Sequence, residues 1–357
     1  MTKVTFPHMG NLQIPARAFF EKLGLEVIVP PEITRKTIEL GVKYSPEMAC
    51  LPLKINLGNF IQALEKGAEI IIMGGGCGPC RFGYYGQVQQ EILENLGYDF
   101  ELISLEANLF YTFRKLRNLL GAVTFLKLFP AWKLAWSKIK AMDEITDLVL
   151  AGRAKEKREG QLDLLYEEFL EQLDLEEKSP AVYKLKENYK NKIQSCMEAG
   201  ELESHIRIGI VGEIYVVLEG TANLHTARKL GRLGAVVERE ISLSHWLKDF
   251  LNLSETRKRI RKQGQPYINS FVGGHGQDSV GNTVHYSKRN FDGIVHLAPF
   301  TCMPEIIAQS ILEEVSEKED IPVLSLMFDE HSGEAGLETR LEAFVDLLME
   351  KKQVEVF

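Results

Sequence analysis

Two cysteines stand three positions apart in the run IIMGGGCGPCRFGYYG, residues 71–86, where an apolar strand pattern meets three glycines and a helix pattern follows. A C-x-x-C pair can exchange a disulfide, contribute to a zinc site, or supply two of the thiolates around an iron–sulfur cluster. The choice rests on the other three cysteines, Cys50, Cys196 and Cys302. Cys196 falls mid-helix in KIQSCMEAGE and reads as a small buried hydrophobe. Cys50, in EMACLPLK, lies just ahead of a helix, and Cys302, in HLAPFTCMPEII, follows a strand and precedes a helix. Cys50, Cys77, Cys80 and Cys302 therefore all fall at strand ends or helix starts, where orphan backbone N–H groups and the helix dipole favour a thiolate.

Three chemistries fit this set. In a thioredoxin-like dithiol, Cys77 attacks and Cys80 resolves. The CGPC sequence favours that reading, but Gly76 stands where a thioredoxin has an aromatic residue, and Cys50 and Cys302 are left without a purpose. A zinc site of four thiolates is chemically sound, yet such sites usually draw on two closely spaced C-x-x-C knuckles. Here the ligands come from three distant segments. A [4Fe–4S] cluster suits dispersed ligands, because two domains can grip it from either side of a cleft. The glycines around the motif, Gly76 and Gly78 among them, let backbone N–H groups approach a cluster, and Arg81 could offset its negative charge or simply pair with a carboxylate.

The elements that must position these thiols follow from periodicity. Residues 1–105 alternate short apolar runs (KVTF, LEVIV, AEIIIM, DFELISL) with helical patterns (IPARAFFEKLG, ITRKTIELGVKY, INLGNFIQALEKG, FGYYGQVQQEILENLG). Such alternation predicts a parallel sheet with helices on both faces and functional loops at the carboxyl ends of its strands. Residues 106–204 lack strand signals and read as a helical insertion or linker. Alternation resumes over 205–357, with IRIGIVGEIYVV, AVVEREIS, FDGIVHLAPF and IPVLSLMFDE as strands, and SHWLKDFLNLSETRKRIRKQ as a helical stretch. The fold class is thus α/β, two Rossmann-like (flavodoxin-like) domains around a helical segment. The halves share a texture but no residue-level repeat.

Composition narrows the partners. With 357 residues, 45% hydrophobic and 26% charged, the chain is an ordinary globular protein of about two domains. A net charge of −8 argues against nucleic acid as the main partner, because phosphate binding wants a basic face. No secretory signal is visible in MTKVTFPHMGN, and LLGAVTFLKLFPAWKLAW, residues 119–136, is broken by Lys127, Pro130 and Lys133 before it reaches a span's length. The expected compartment is the cytoplasm, where cysteines are reduced, catalytic or metal-bound.

Taken together, ACLPLK, GCGPCRFGYYG, GGHGQDSVGN, HLAPFTCMPEI and FDEHSGEAGLETRLEAF resemble the 2-hydroxyacyl-CoA dehydratase and benzoyl-CoA reductase superfamily, in its short activase-related branch. The resemblance implies a cluster between two Rossmann-like domains, reduced by a separate ATP-hydrolysing iron–sulfur activator protein. Dehydratase subunits generally hold their cluster through three cysteines and leave one iron open, whereas this chain offers four. A double-cubane cluster, carried by one relative, needs more thiolates than these four unless subunits share. The expected protein is an activator-dependent homodimer that passes low-potential electrons onward or reduces a small molecule. The alternatives are a closed-site cluster carrier or scaffold, and a CGPC thiol–disulfide oxidoreductase.

Further candidates surround the cysteines. Glu330, His331 and Glu334 in DEHSGEAG follow the last strand and could relay protons or bind a ligand; equally, the loop could simply cap the final helix, with Glu338 and Arg340 solvated. Glu213 sits at a strand end in VGEIYVV, and His275 lies in the Gly-rich GGHGQDSVG. No Lys-Ser/Thr follows that loop, so it is not a P-loop, and nucleotide hydrolysis is expected of the partner.

Overall fold

The computed structural model describes residues 2–75, 79–105, 125–198, 205–251 and 254–355. The chain divides into two compact units, Met1–Ile139 with Glu177–Ser179, and Lys140–Glu176 with Pro180–Phe357. Of the three helices of the middle segment, α5 (Phe125–Gly152) divides between the units after Ile139, α6 (Gln161–Leu175) belongs to the second, and α7 (Ser179–Ser195) belongs to the second except for Ser179.

The first unit runs β1 (Lys3–Thr5), α1 (Gln13–Lys22), β2 (Glu26–Val27), α2 (Arg35–Tyr44), α3 (Leu51–Glu65), β3 (Ile70–Gly74), α4 (Phe82–Asn95), β4 (Glu101–Leu105). Its sheet is all parallel, in the order β2-β1-β3-β4. The continuous apolar run of β3 is explained by burial on both faces. Ile70 and Ile72 pack with Val4, Phe6 and Phe20 on one side, and Ile71 and Met73 pack with Leu53, Leu57, Phe60 and Leu93 on the other.

The second unit runs β5 (Ile206–Gly212), α8 (Ile214–Leu218), α9 (Thr226–Arg232), β6 (Ala235–Arg239), α10 (Leu243–Phe250), α11 (Glu255–Gly264), α12 (Gly276–Ser287), β7 (Gly293–Pro299), α13 (Met303–Lys318), β8 (Val323–Phe328), α14 (Glu334–Glu355). Its sheet, β6-β5-β7-β8, is again all parallel. In order of appearance both sheets read second, first, third, fourth, so the two units repeat one topology although no residue-level repeat was visible. Each also packs a helix pair through glycine. A Cβ on Gly58 of α3 would lie 1.9 Å from the Thr37 carbonyl oxygen of α2, and one on Gly281 of α12 would lie 2.3 Å from that of Ile260 in α11.

Some elements differ from the sequence reading. The strand expected over LEVIVPP pairs only at Glu26 and Val27. The helical stretch beginning at SHWLKDF is two helices, because Ser242 and Ser254 each cap one by accepting from the backbone N–H three residues on. GGHGQDSVG is less a loop than the start of α12, with Gly273 and Gly274 at φ +87° and +47° turning the chain into it.

Candidate functional site

In a sheet of this order, the direction in which successive strands are added reverses between the first and third strands, and the loops leaving those strands border a crevice. In the first unit β3 delivers its chain into the CGPC segment at this point. Gly76, Cys77 and Gly78 lie outside the described residues. Cys80 is partly exposed just before α4. Arg81, at the helix cap, donates from Nη1 to the Met48 carbonyl at 2.8 Å, which ties the start of α4 to the segment leading into α3.

Cys50 caps α3 and is 9% exposed. Its Sγ lies 2.6 Å from the Tyr85 hydroxyl of α4. Burial, then the neighbouring Cys50, push the Tyr85 hydroxyl far above its ordinary pKa, with a further contribution from Cys80. The phenol therefore stays protonated, and it can donate to the Cys50 sulfur when that sulfur is a thiolate. Two thiols, a phenol and a guanidinium are gathered at one carboxyl edge.

In the second unit the chain leaves β7 through Thr301, at φ +66°, to Cys302, which caps α13 and is 7% exposed. Three residues on, Glu305 is fully buried; its Oε2 accepts from the Ser279 hydroxyl at 2.8 Å and lies 2.9 Å from His296 Nε2. His296 Nδ1 is 3.2 Å from the Ser325 hydroxyl. Glu213, leaving β5, caps α8 by accepting from the Val216 N–H at 3.0 Å. Burial, assisted by the charge of Glu305, pushes its carboxyl up to about 7. His275 occupies the cap position of α12, where burial lowers its pKa. A Cβ on Gly276 would lie 2.4 Å from the Pro304 carbonyl oxygen, so the starts of α12 and α13 touch. The matching position in the first unit, the start of the helix before the third strand, carries Cys50.

Glu213 has a measurable consequence. Its folded pKa near 7 exceeds the ordinary 4.5, so the stability it contributes is fully present below about pH 4.5 and is lost as the pH rises through 7. The loss is at most about 3 kcal/mol for such a shift. Glu213→Gln is expected to match the parent at pH 5 and to be the more stable protein at pH 8. Denaturant titrations at the two pH values check this; an equal gap at both would contradict it.

The remaining sequence candidates have structural partners. His331 is exposed, and its N–H donates to Asp329; Glu334 is exposed and joins Glu338 on Lys229. Arg340 donates to the Ser325 carbonyl, and Glu330 is half-buried. Cys196, expected mid-helix and buried, lies just past the end of α7 and is partly exposed, a correction that follows from where α7 stops. Tyr85 and the Glu305–His296 pair were missed. Tyr85 sits five residues after Cys80 in a helical pattern, which was a readable signal; a Glu three residues after a cysteine and a His within a strand gave none. Among the described residues no three His, Cys, Asp or Glu side chains are gathered as metal ligands would be.

The topology and the thiol-bearing edges define a pair of flavodoxin-like α/β units. The model of a family described as a CoA enzyme activase uncharacterised domain matches residues 9–73, from the loop after β1 into β3, and takes in Cys50. The match links this segment to the activase-related group that the sequence resembles. No curated protein matches the chain. No helix among the described residues is long and apolar enough to cross a membrane.

Proposed function

We propose that the chain is an iron–sulfur protein that accepts low-potential electrons from a separate ATP-hydrolysing activator, and passes them on or uses them to reduce a small molecule. The observation that carries this reading is the contact of the Cys50 sulfur with the Tyr85 hydroxyl at the carboxyl edge of a parallel sheet, with Cys80 near enough to act electrostatically on the same phenol. The donor chemistry of this edge fits a thiolate-held group: two sulfurs, a protonated phenol to hydrogen-bond sulfur, and a guanidinium to offset negative charge. Cys50, Cys80 and, from the CGPC motif, Cys77 would hold it, all three from the first unit. The activase-domain match over 9–73 supports the activator as partner.

When bound, the cluster supplies a one-electron reservoir at low potential. The chain's own residues do the rest. Tyr85 keeps its proton and stabilises charge on the Cys50 sulfur, and the buried walls of α3 and α4 exclude water from that sulfur. Glu213, with its raised pKa, can take up a proton at the equivalent edge of the second unit.

Protein purified without oxygen should be brown and carry roughly four irons and four sulfides per cluster. Cys50→Ser and Cys80→Ser are expected to lose most of that iron and colour, whereas Cys196→Ser keeps both. Tyr85→Phe should keep the iron and lower the reduction potential. Full iron content in Cys50→Ser, or a colourless protein with one zinc per chain, would overturn the reading.

A further inference from the structure

The second unit holds a small pocket apart from the Glu305–His296 pair, bordered by the chain leaving β6 and by α10, α11 and α12. It has about 40 Å³ of room, enough for two or three water-sized groups. Ile214, Ile241, Ile260 and Trp246 give it apolar walls, while Asp249, Asn282, His245 and Arg257 bring polar groups.

The guanidinium of Arg257 and the Nδ1 of His245 are already engaged. Arg257 directs Nε and Nη2 at Asp278, its Nη2 also reaches the Gly274 carbonyl, and its Nη1 lies 3.6 Å from Asp249. His245 Nδ1 is 2.6 Å from the Glu240 carbonyl oxygen, which can only accept, so the proton of the neutral ring is on Nδ1 and Nε2 is left as an acceptor. The acceptors are not consumed. Asn282 is 4% exposed and its Oδ1 has no partner; the Oδ1 of Asp249 has none either. A buried acceptor left unpaired is costly, and it points to a donor that fills the space.

The start of α12 does not call for an anion, because Asp278 already occupies its first turn, ionised and held low by Arg261 and Arg257 against the opposing effect of burial. The opposite chemistry fits. A protonated primary amine carries three N–H donors, matching Asn282 Oδ1, Asp249 Oδ1 and His245 Nε2. Its attached carbons suit the isoleucines, and its charge suits the face of an indole.

We propose that this pocket binds the primary ammonium group of a small aliphatic amine. The inference is independent of the cluster, since every lining residue belongs to the second unit and none is a candidate cluster ligand.

The test titrates the full chain with methylammonium and ethylammonium chloride, reading Trp246 fluorescence, with tetramethylammonium and sodium chloride at matched ionic strength as controls. A ligand of two or three heavy atoms can reach a Kd on the order of 1–10 mM. The expected result is a saturable change with the two primary amines only, absent in Trp246→Phe. Asn282→Leu should weaken binding at least about tenfold, Asp249→Asn should weaken it several-fold, and Asn282→Asp should tighten it. If Asn282→Leu fails to fold, Asp249→Asn and Asn282→Asp carry the test. An equal response to tetramethylammonium, no saturation with either amine, or unchanged affinity in the folded variants would overturn the proposal.

Discussion

Gly58→Ala is expected to lower the stability of the first unit by about 3 kcal/mol or more, and to separate Cys50 from Tyr85. The added Cβ would lie 1.9 Å from the backbone oxygen of Thr37, and on the reciprocal side a Cβ on Gly41 would lie 1.8 Å from that of Lys54. Neither obstacle is a flexible side-chain tip, so relief requires α2 and α3 to move apart. Because Cys50 caps α3 and touches Tyr85 of α4, that movement reaches the thiol. Gly281→Ala should do the same to α11 and α12 in the second unit, where the Cβ meets the Ile260 oxygen at 2.3 Å. Gly336, in α14 with nothing near its Cβ position, is the control: Gly336→Ala should stabilise by about 0.5–1 kcal/mol. Thermal melts of the three variants check this. Equal melting of Gly58→Ala and Gly336→Ala would contradict it.

The second large effect concerns Glu305. Its carboxylate and the His296 ring are both fully buried, and Ser279 donates to the same Oε2. Glu305→Ala removes the partner of two buried polar groups at once and is expected to cost about 3–5 kcal/mol. Glu305→Gln keeps the volume and an acceptor for Ser279 or His296, so its cost should fall to about 1–2 kcal/mol. The contrast separates lost pairing from lost volume. Midpoints in urea, read by circular dichroism, give both values; Ala and Gln variants of equal stability would show that the pair contributes no more than its packing.

Much of the architecture was legible because parallel strands buried on both faces write themselves as unbroken apolar runs. IIIM at 70–73 and GIVHLAP at 293–299 are found where such runs predict them. The placement of Cys302 was legible for the same reason, since the run before it and the helix after it fix the edge between them, whereas Cys50 was placed by the helical pattern that follows it. What stayed hidden depends on tertiary contact. Glycines that let two helices touch look in sequence like helix-weakening residues, and only the backbone oxygen opposite Gly58 or Gly281 explains them. The duplication was invisible because topology, rather than side-chain identity, is what the two units share. Tyr85 was hidden behind its own apolar ring: in FGYYG it reads as helix filling, and its hydroxyl gains meaning only from a sulfur 35 positions earlier in the chain.

The central claim is that the thiols at the first unit's carboxyl edge hold iron, and X-ray anomalous scattering tests it most directly. Crystals of protein purified without oxygen, measured on both sides of the iron edge, should give an iron peak bonded to the sulfurs of Cys50 and Cys80. A peak at the zinc edge in that position, or thiols with no metal beside them, would contradict the account.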